Sequence, residues 1–150
     1  MIRQYNNPEG TVALINSTAL NDPKRVLTST NTGAPVGGAG VVKQDSAITT
    51  MILCNVGTPD PTDESVNSVS VNIYIVRGAP TGGPGATPDT TNGSNLIVSN
   101  LTIPAGETVF FSDEKIILDG GVDGSKNPDE LWISSSDTDL IAVTVSILQV

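Results

Sequence analysis

The sequence predicts an all-β fold: an antiparallel β-sandwich of jelly-roll or immunoglobulin-like type, with about eight short strands. Three observations predict it. The last stretch, LIAVTVSILQV from Leu140 to Val150, alternates Ile141, Val143, Val145 and Ile147 with Ala142, Thr144, Ser146 and Leu148. That period of two sends alternate side chains to opposite faces of a sheet. Short β-branched runs of the same kind recur along the chain, separated by turn formers. The 15 Gly and 10 Pro, with abundant Thr, Ser and Asn, disfavour helix almost everywhere.

The elements follow in order. Residues 1–45 are loosely patterned and read as an N-terminal arm or a pair of edge strands, with short strand candidates at Thr11–Ile15 and Arg25–Thr30. Asn7-Pro8, Asn21-Asp22-Pro23 and the tract NTGAPVGGAG punctuate them. Residues 46–150 form the sandwich. Ser46–Val56 is its first strong strand, with Ile48, Thr50, Ile52, Cys54 and Val56 on one face and Ala47, Thr49, Met51, Leu53 and Asn55 on the other. Val66–Arg77 alternates Val69, Val71, Ile73 and Ile75 with Ser70, Asn72, Tyr74 and Val76. Joined by an acidic loop, these two read as an antiparallel pair.

Residues 78–94 are a low-complexity loop without apolar pattern. A loop of this length is a surface excursion or orders against a neighbouring subunit. Asn95–Ile103 carries Leu96, Val98, Leu101 and Ile103 with a slip of phase at Ser99-Asn100, the mark of a bulge or of two short segments. After the turn Pro104–Glu107, strands are expected at Thr108–Phe111 and Ile116–Leu118. Residues 119–130 are a second polar loop; Leu131–Ser134 opens another strand, and Leu140–Val150 closes the sheet with close neighbours on both sides.

Composition narrows the function. The aromatic residues are Tyr5, Tyr74, Phe110, Phe111 and Trp132, so the core is built of Val, Ile and Leu. Net charge is −9, from 16 acidic and 7 basic residues, and there is no basic stripe, so nucleic acid is not an expected partner. No stretch approaches the roughly 18 apolar residues of a membrane-spanning helix, and the amino terminus lacks the apolar run of a signal peptide, so no membrane association is expected. Cys54 stands alone, which rules out an intrachain disulfide and fits synthesis in a reducing cytoplasm. Within a patterned strand it reads as a small core hydrophobe. The three N-x-S/T triplets, beginning at Asn16, Asn92 and Asn100, read as chance in a chain rich in Ser and Thr.

The chain contains no histidine, which removes Ser-His-Asp and Cys-His arrangements and the ordinary zinc and iron sites. Phosphate-binding glycine motifs are absent. No enzyme and no cofactor are expected, and carboxylate pairs for glycoside hydrolysis would lack the aromatics that stack sugars. Asp119, Asp123 and Asp129, with Glu130, group hard oxygen ligands on a glycine-containing loop, as calcium requires, but their spacing is not that of an EF-hand. These aspartates are the candidates for a metal site, and none is expected.

In the last third, SNLIVSNLTIPAGETVFFSDEKIILDGG, ELWISSS and DLIAVTVSILQV together form a recognisable pattern. It runs strand, (I/L)-x-(A/P)-G-E-T, strand, apolar run, strand, closing V-x-V-x-I strand. With AITTMILCNVG and SVSVNIYIVRG before it, this pattern resembles small virion structural proteins of tailed bacteriophages, of neck, tail or capsid-decoration type. The likeness covers residues 46–150 and not 1–45. It departs from the pattern where the residues 120–129 replace a direct Gly-Asp entry into the next strand. The resemblance implies a non-enzymatic component that assembles in symmetric copies, as a homo-oligomer in contact with other virion proteins. It implies a location on the virion, after synthesis in the host cytoplasm. The other reading is a carbohydrate or cell-surface binding module, such as a fibre tip or adhesin domain. If residues 1–45 are an arm, a chain lacking residues 1–30 is expected to fold.

Overall fold

The computed structural model describes residues 2–6, 14–28, 45–77, 95–113, 115–120 and 129–149. They contain nine strands: β1 (Ile2–Asn6), β2 (Lys24–Thr28), β3 (Ser46–Asn55), β4 (Val69–Val76), β5 (Leu96–Ile103), β6 (Thr108–Phe111), β7 (Ile116–Leu118), β8 (Glu130–Ser135) and β9 (Ile141–Gln149). No helix occurs among the described residues. The strands form two antiparallel sheets. The first has the order β1-β9-β3-β6, with β7 also pairing β3; the second has the order β2-β8-β4-β5. Since β6 lies against Met51–Cys54 and β7 against Ser46–Ile48, these two segments share one flank of β3. The chain passes from sheet to sheet between β1, β2, β3 and β4, again after β5, and again on each side of β8. That interleaving of two four-position sheets is the jelly-roll form of the sandwich.

The core lies between the sheets and is almost wholly aliphatic. β9 is central, paired to β1 on one side and β3 on the other, and its Ile141, Val143, Val145 and Ile147 are buried. Across from them lie Val69, Val71, Ile73 and Ile75 of β4 and Leu131 and Ile133 of β8, in the same buried cluster. Each such side chain contributes about 1.5–3 kcal/mol of gross transfer energy, most of it offset by chain ordering.

The pairing of Ser46–Val56 with Val66–Arg77 expected from the sequence does not occur. β3 belongs to the first sheet and β4 to the second. Both strands carry one apolar face, and both faces are buried when the strands stand in opposite layers; β9 and β6 satisfy the edges of β3 while β8 and β5 satisfy those of β4. The segment 56–68 is therefore an inter-sheet connection and not a hairpin.

The phase of β3 also differs from a simple alternation. A register shift against β9 between Ile48 and Thr50 marks a bulge, where the Thr49 hydroxyl donates to the Ser146 carbonyl at 3.2 Å. Beyond it the buried set changes from Ile48 to Met51, Leu53 and Asn55. Cys54 consequently lies half-buried, outside the core cluster where the sequence placed it. The slip expected at Ser99-Asn100 is present: Val71 pairs Leu101 and Ile73 pairs Val98, leaving an extra residue on β5. The Asn72 side chain accepts the Asn100 amide at 2.7 Å, and Asn100 has φ 53°.

Of the Thr11–Ile15 candidate strand, 11–13 lie outside the described residues, and Leu14 and Ile15 are not in a strand. Ile15 is nonetheless buried in the core and donates its amide to Ile141 at 2.9 Å. The second candidate is realised as β2, whose Val26 is also core. Leu20 extends this tie: its carbonyl accepts from the Tyr74 and Ser134 hydroxyls. Loop 78–94 lies outside the described residues, as do 121–128 of the second loop.

Two outcomes follow. Val143→Asp buries an unpaired charge in the centre of β9 and should cost on the order of 4–5 kcal/mol or more, read as loss of the cooperative melting transition. Removal of residues 1–30 takes Ile15, Val26 and the outer strands β1 and β2 with it, so the expectation reverses: the truncated chain should fail to fold, and a native-like circular dichroism melt of that chain would refute this.

Candidate interaction surfaces

One end of the sandwich is formed by segments 14–23, 56–68, 104–107 and 136–140, and Asn55 organises it. Its side chain is buried at the end of β3, donates to the Asn67 carbonyl at 2.8 Å and the Ile103 carbonyl at 2.9 Å, and accepts the Gly57 amide at 2.9 Å. Its backbone closes the opposite turn, with Gly106 donating to the Asn55 carbonyl and Asn55 donating to the Glu107 carbonyl, each at 3.0 Å. Glycine is required at 57, because a Cβ there would stand 2.9 Å from that of Asn67. Gly106, at φ 79°, supplies the left-handed corner of the turn.

This end is acidic. Asp22, Asp60, Asp63, Glu64, Glu107, Asp137 and Asp139 lie on its segments. Asp60 accepts the amide and hydroxyl of Thr62, and Asp63 those of Ser65, at 2.6–2.9 Å. The neighbouring hydroxyl, then the amide, holds each carboxyl below its ordinary value of 3.8. Asp22 is lowered likewise, first by its hydrogen bond from Lys24 at 2.7 Å. A cleft of about 490 Å³ opens between segments 56–68 and 104–107, with Asp60, Glu64 and Glu107 around Pro59, Val66 and Pro104.

At the other end the metal candidates separate in role. Asp129 is buried, and its Oδ2 accepts Arg77 Nη1 at 2.6 Å and the Asp119 amide at 3.0 Å. The Asp129 amide in turn donates to the Asp119 carbonyl at 2.8 Å. Arg77 also donates to the Ile117 carbonyl at 3.0 Å. Asp119 and Asp129 thus meet through backbone and carboxylate in a clasp at the base of the loop, while Asp123 lies outside the described residues. Glu130 is buried too, accepting Arg25 at 3.1 Å and Trp132 Nε1 at 2.8 Å. Among the described residues no three His, Cys, Asp or Glu side chains gather as metal ligands would. Sequence reasoning missed Arg77; its position as the first charged residue after an alternating strand is the signal that marks it.

The third surface is apolar. β5 and β6 are the outer strands of their sheets on one flank, and no strand among the described residues pairs with their free edges. β5, β6 and β7 contain no charged residue. Ile97 is 46% exposed, Phe110 64% and Ile117 52%. Between the sheets here a cleft of about 320 Å³ is lined by Met51, Ile97, Val98, Phe110, Phe111 and Ile116, with Ser112 and Asp113 at its polar side. The opposite flank differs: β1 carries Arg3, and β2 carries Lys24 and Arg25. Charge on an outer strand blocks pairing with another chain, and a charge-free outer strand invites it.

Among the described residues every buried side-chain nitrogen or oxygen has a hydrogen-bond partner. The buried polar groups are spent on holding turns and loop bases. Compared with protein-family models and with curated proteins, the chain matches none.

Asn55→Ala removes three hydrogen bonds at once, two of them buried. It should lower stability by about 2–4 kcal/mol, measured by urea denaturation. An effect below about 1 kcal/mol would show that the two turns hold without it.

Proposed function

We propose that the chain is a non-enzymatic structural component of a tailed-phage virion, assembling in symmetric copies on the neck, tail or capsid surface. The observation that carries this reading is the flank of β5, β6 and β7, where exposed Ile97, Phe110 and Ile117 surround two uncharged sheet edges. Isolated exposed aliphatics are ordinary on soluble proteins, but their concentration on unprotected edges is the mark of a surface covered by another chain. The likeness of residues 46–150 to small phage virion proteins supplies the context, and a jelly roll serves in capsids among other places.

The buried polar network also favours a passive scaffold. Asn55, Asp129 and Glu130 are turned inward to backbone and to Arg77, Arg25 and Trp132, so their chemistry is structural. A sugar-binding platform is less well supported: Tyr74 is buried, and the Trp132 indole is tied to Glu130. Other virion proteins are the partners this reading requires, and the virion is its location after synthesis in the host cytoplasm.

The test is immunogold labelling. Antibodies raised against the purified chain should decorate intact phage particles at a fixed position and in a symmetric pattern. Particles that carry no label, together with free chain recovered only from the soluble lysate, would overturn the reading.

A further inference from the structure

The acidic end of the sandwich carries a groove that matches a basic side chain. The four segments that build this end, 14–23, 56–68, 104–107 and 136–140, hold seven acidic residues and no basic one. Lys24, which follows directly, is bonded to Asp22 at 2.7 Å. Asp60 and Asp63 are spent on Thr62 and Ser65 of their own turns. Glu64 and Glu107 are not. Both are exposed, and among the described residues neither side chain has a hydrogen-bond or ion-pair partner. They line one cleft of about 490 Å³, one from each of the two segments that flank it.

Most of the remaining lining is apolar. Pro59 and Val66 belong to one segment and Pro104 to the other, and Val109 of β6 continues it; Val66 is 39% exposed. Apolar surface beside unpaired carboxylates complements one kind of side chain. Lys and Arg carry an aliphatic stem and a charged head, and they gain most where the stem lies on apolar surface while the head reaches an acid. Other occupants fit less well. A second copy presenting the same end would set seven acids against seven. Nucleic acid and acidic lipid carry the wrong sign. A bound metal ion needs several close ligands, and no group of three gathers among the described residues.

We infer that this cleft docks an extended segment of a partner protein through a Lys or Arg side chain. The stem lies along Pro59, Val66 and Pro104, and the head is held by Glu64 and Glu107. The surface is separate from the flank of β5, β6 and β7, so the inference goes beyond the virion reading. Its ion pairs are exposed, and salt weakens the contact by screening them.

Fluorescence anisotropy of a dye-labelled hexa-arginine peptide with the full chain tests this. Binding should saturate at low salt and fall as salt is raised. Glu64→Gln with Glu107→Gln should weaken it about tenfold, since two exposed ion pairs are lost, with an unchanged melting curve. Asp113→Asn with Asp137→Asn removes the same charge from exposed positions outside the cleft, and should weaken binding less than about twofold. Val66→Ser alters no charge and should weaken it about threefold through the lost apolar contact. Absence of saturable binding by the native chain overturns the inference. So does an equal loss in the two charge-matched pairs, which would mean attraction to net charge alone, or a Val66→Ser chain that binds as the native one does. A native chain that sediments as a dimer, and as a monomer once Glu64 and Glu107 are changed, would make a second copy the occupant and overturn the partner named here. Particle labelling is read separately: labelled particles with no peptide binding would sink this inference alone, and peptide binding with unlabelled particles would sink the virion role alone.

Discussion

The structure depends on one contact: the aliphatic face of β9 pressed against β4 and β8 across the sandwich. Ile141, Val143, Val145 and Ile147 form one wall, and Val69, Val71, Ile73 and Leu131 the other. Aromatic residues make up only 3% of the chain and the one buried ring, Tyr74, lies outside the aliphatic cluster among the described residues, so the two sheets close on aliphatic side chains. Such a core tolerates little misalignment, because shifting a strand by one residue turns its whole apolar set toward water. The bulges at Thr49 and Ser99-Asn100 are where the chain corrects its phase to keep that set inward.

Around this contact the polar residues do the closing. Asn55 binds two connections that the sheets alone would leave loose, and it can do so because its amide donates twice and accepts once at a fixed point. Asp129 performs the corresponding task at the opposite end through Arg77. Of the carboxylates grouped by the sequence around this loop, Asp129 and Glu130 are buried and hold the fold. An Asp-rich stretch reads the same in sequence whether its oxygens meet a cation from solution or a guanidinium from the preceding strand.

The period-two runs made the strands legible. β5, β6, β7 and β9 fall within a residue of where alternation placed them, β4 begins three residues later, and the slip in β5 was visible as a break in phase. Partner choice was not legible. β3 and β4 are neighbours in sequence with complementary patterns, and alternation cannot distinguish two strands side by side from two strands face to face. The contribution of the first thirty residues was also hidden. Ile15 and Val26 belong to two short runs, TVALI and RVLTST, that read in sequence as edge strands of a loose arm, yet each fills a place in the core. The apolar flank was in part foreshadowed, since Phe110 and Phe111 alternate; only the topology reveals that Ile97 stands across the same cleft.

The clasp between Asp119 and Asp129 has a consequence for how this chain can change. Their backbones meet at 2.8 Å, and Arg77 locks the meeting point from β4. The two ends of the intervening stretch are thus fixed by groups that belong to the sandwich, so the spacing of the strands does not depend on what joins them. Doubling the length between such pinned ends costs only about 0.6 kcal/mol of closure entropy. An evolving or engineered scaffold can lengthen there, carrying a foreign peptide or a new recognition loop, while the layers beneath keep their register.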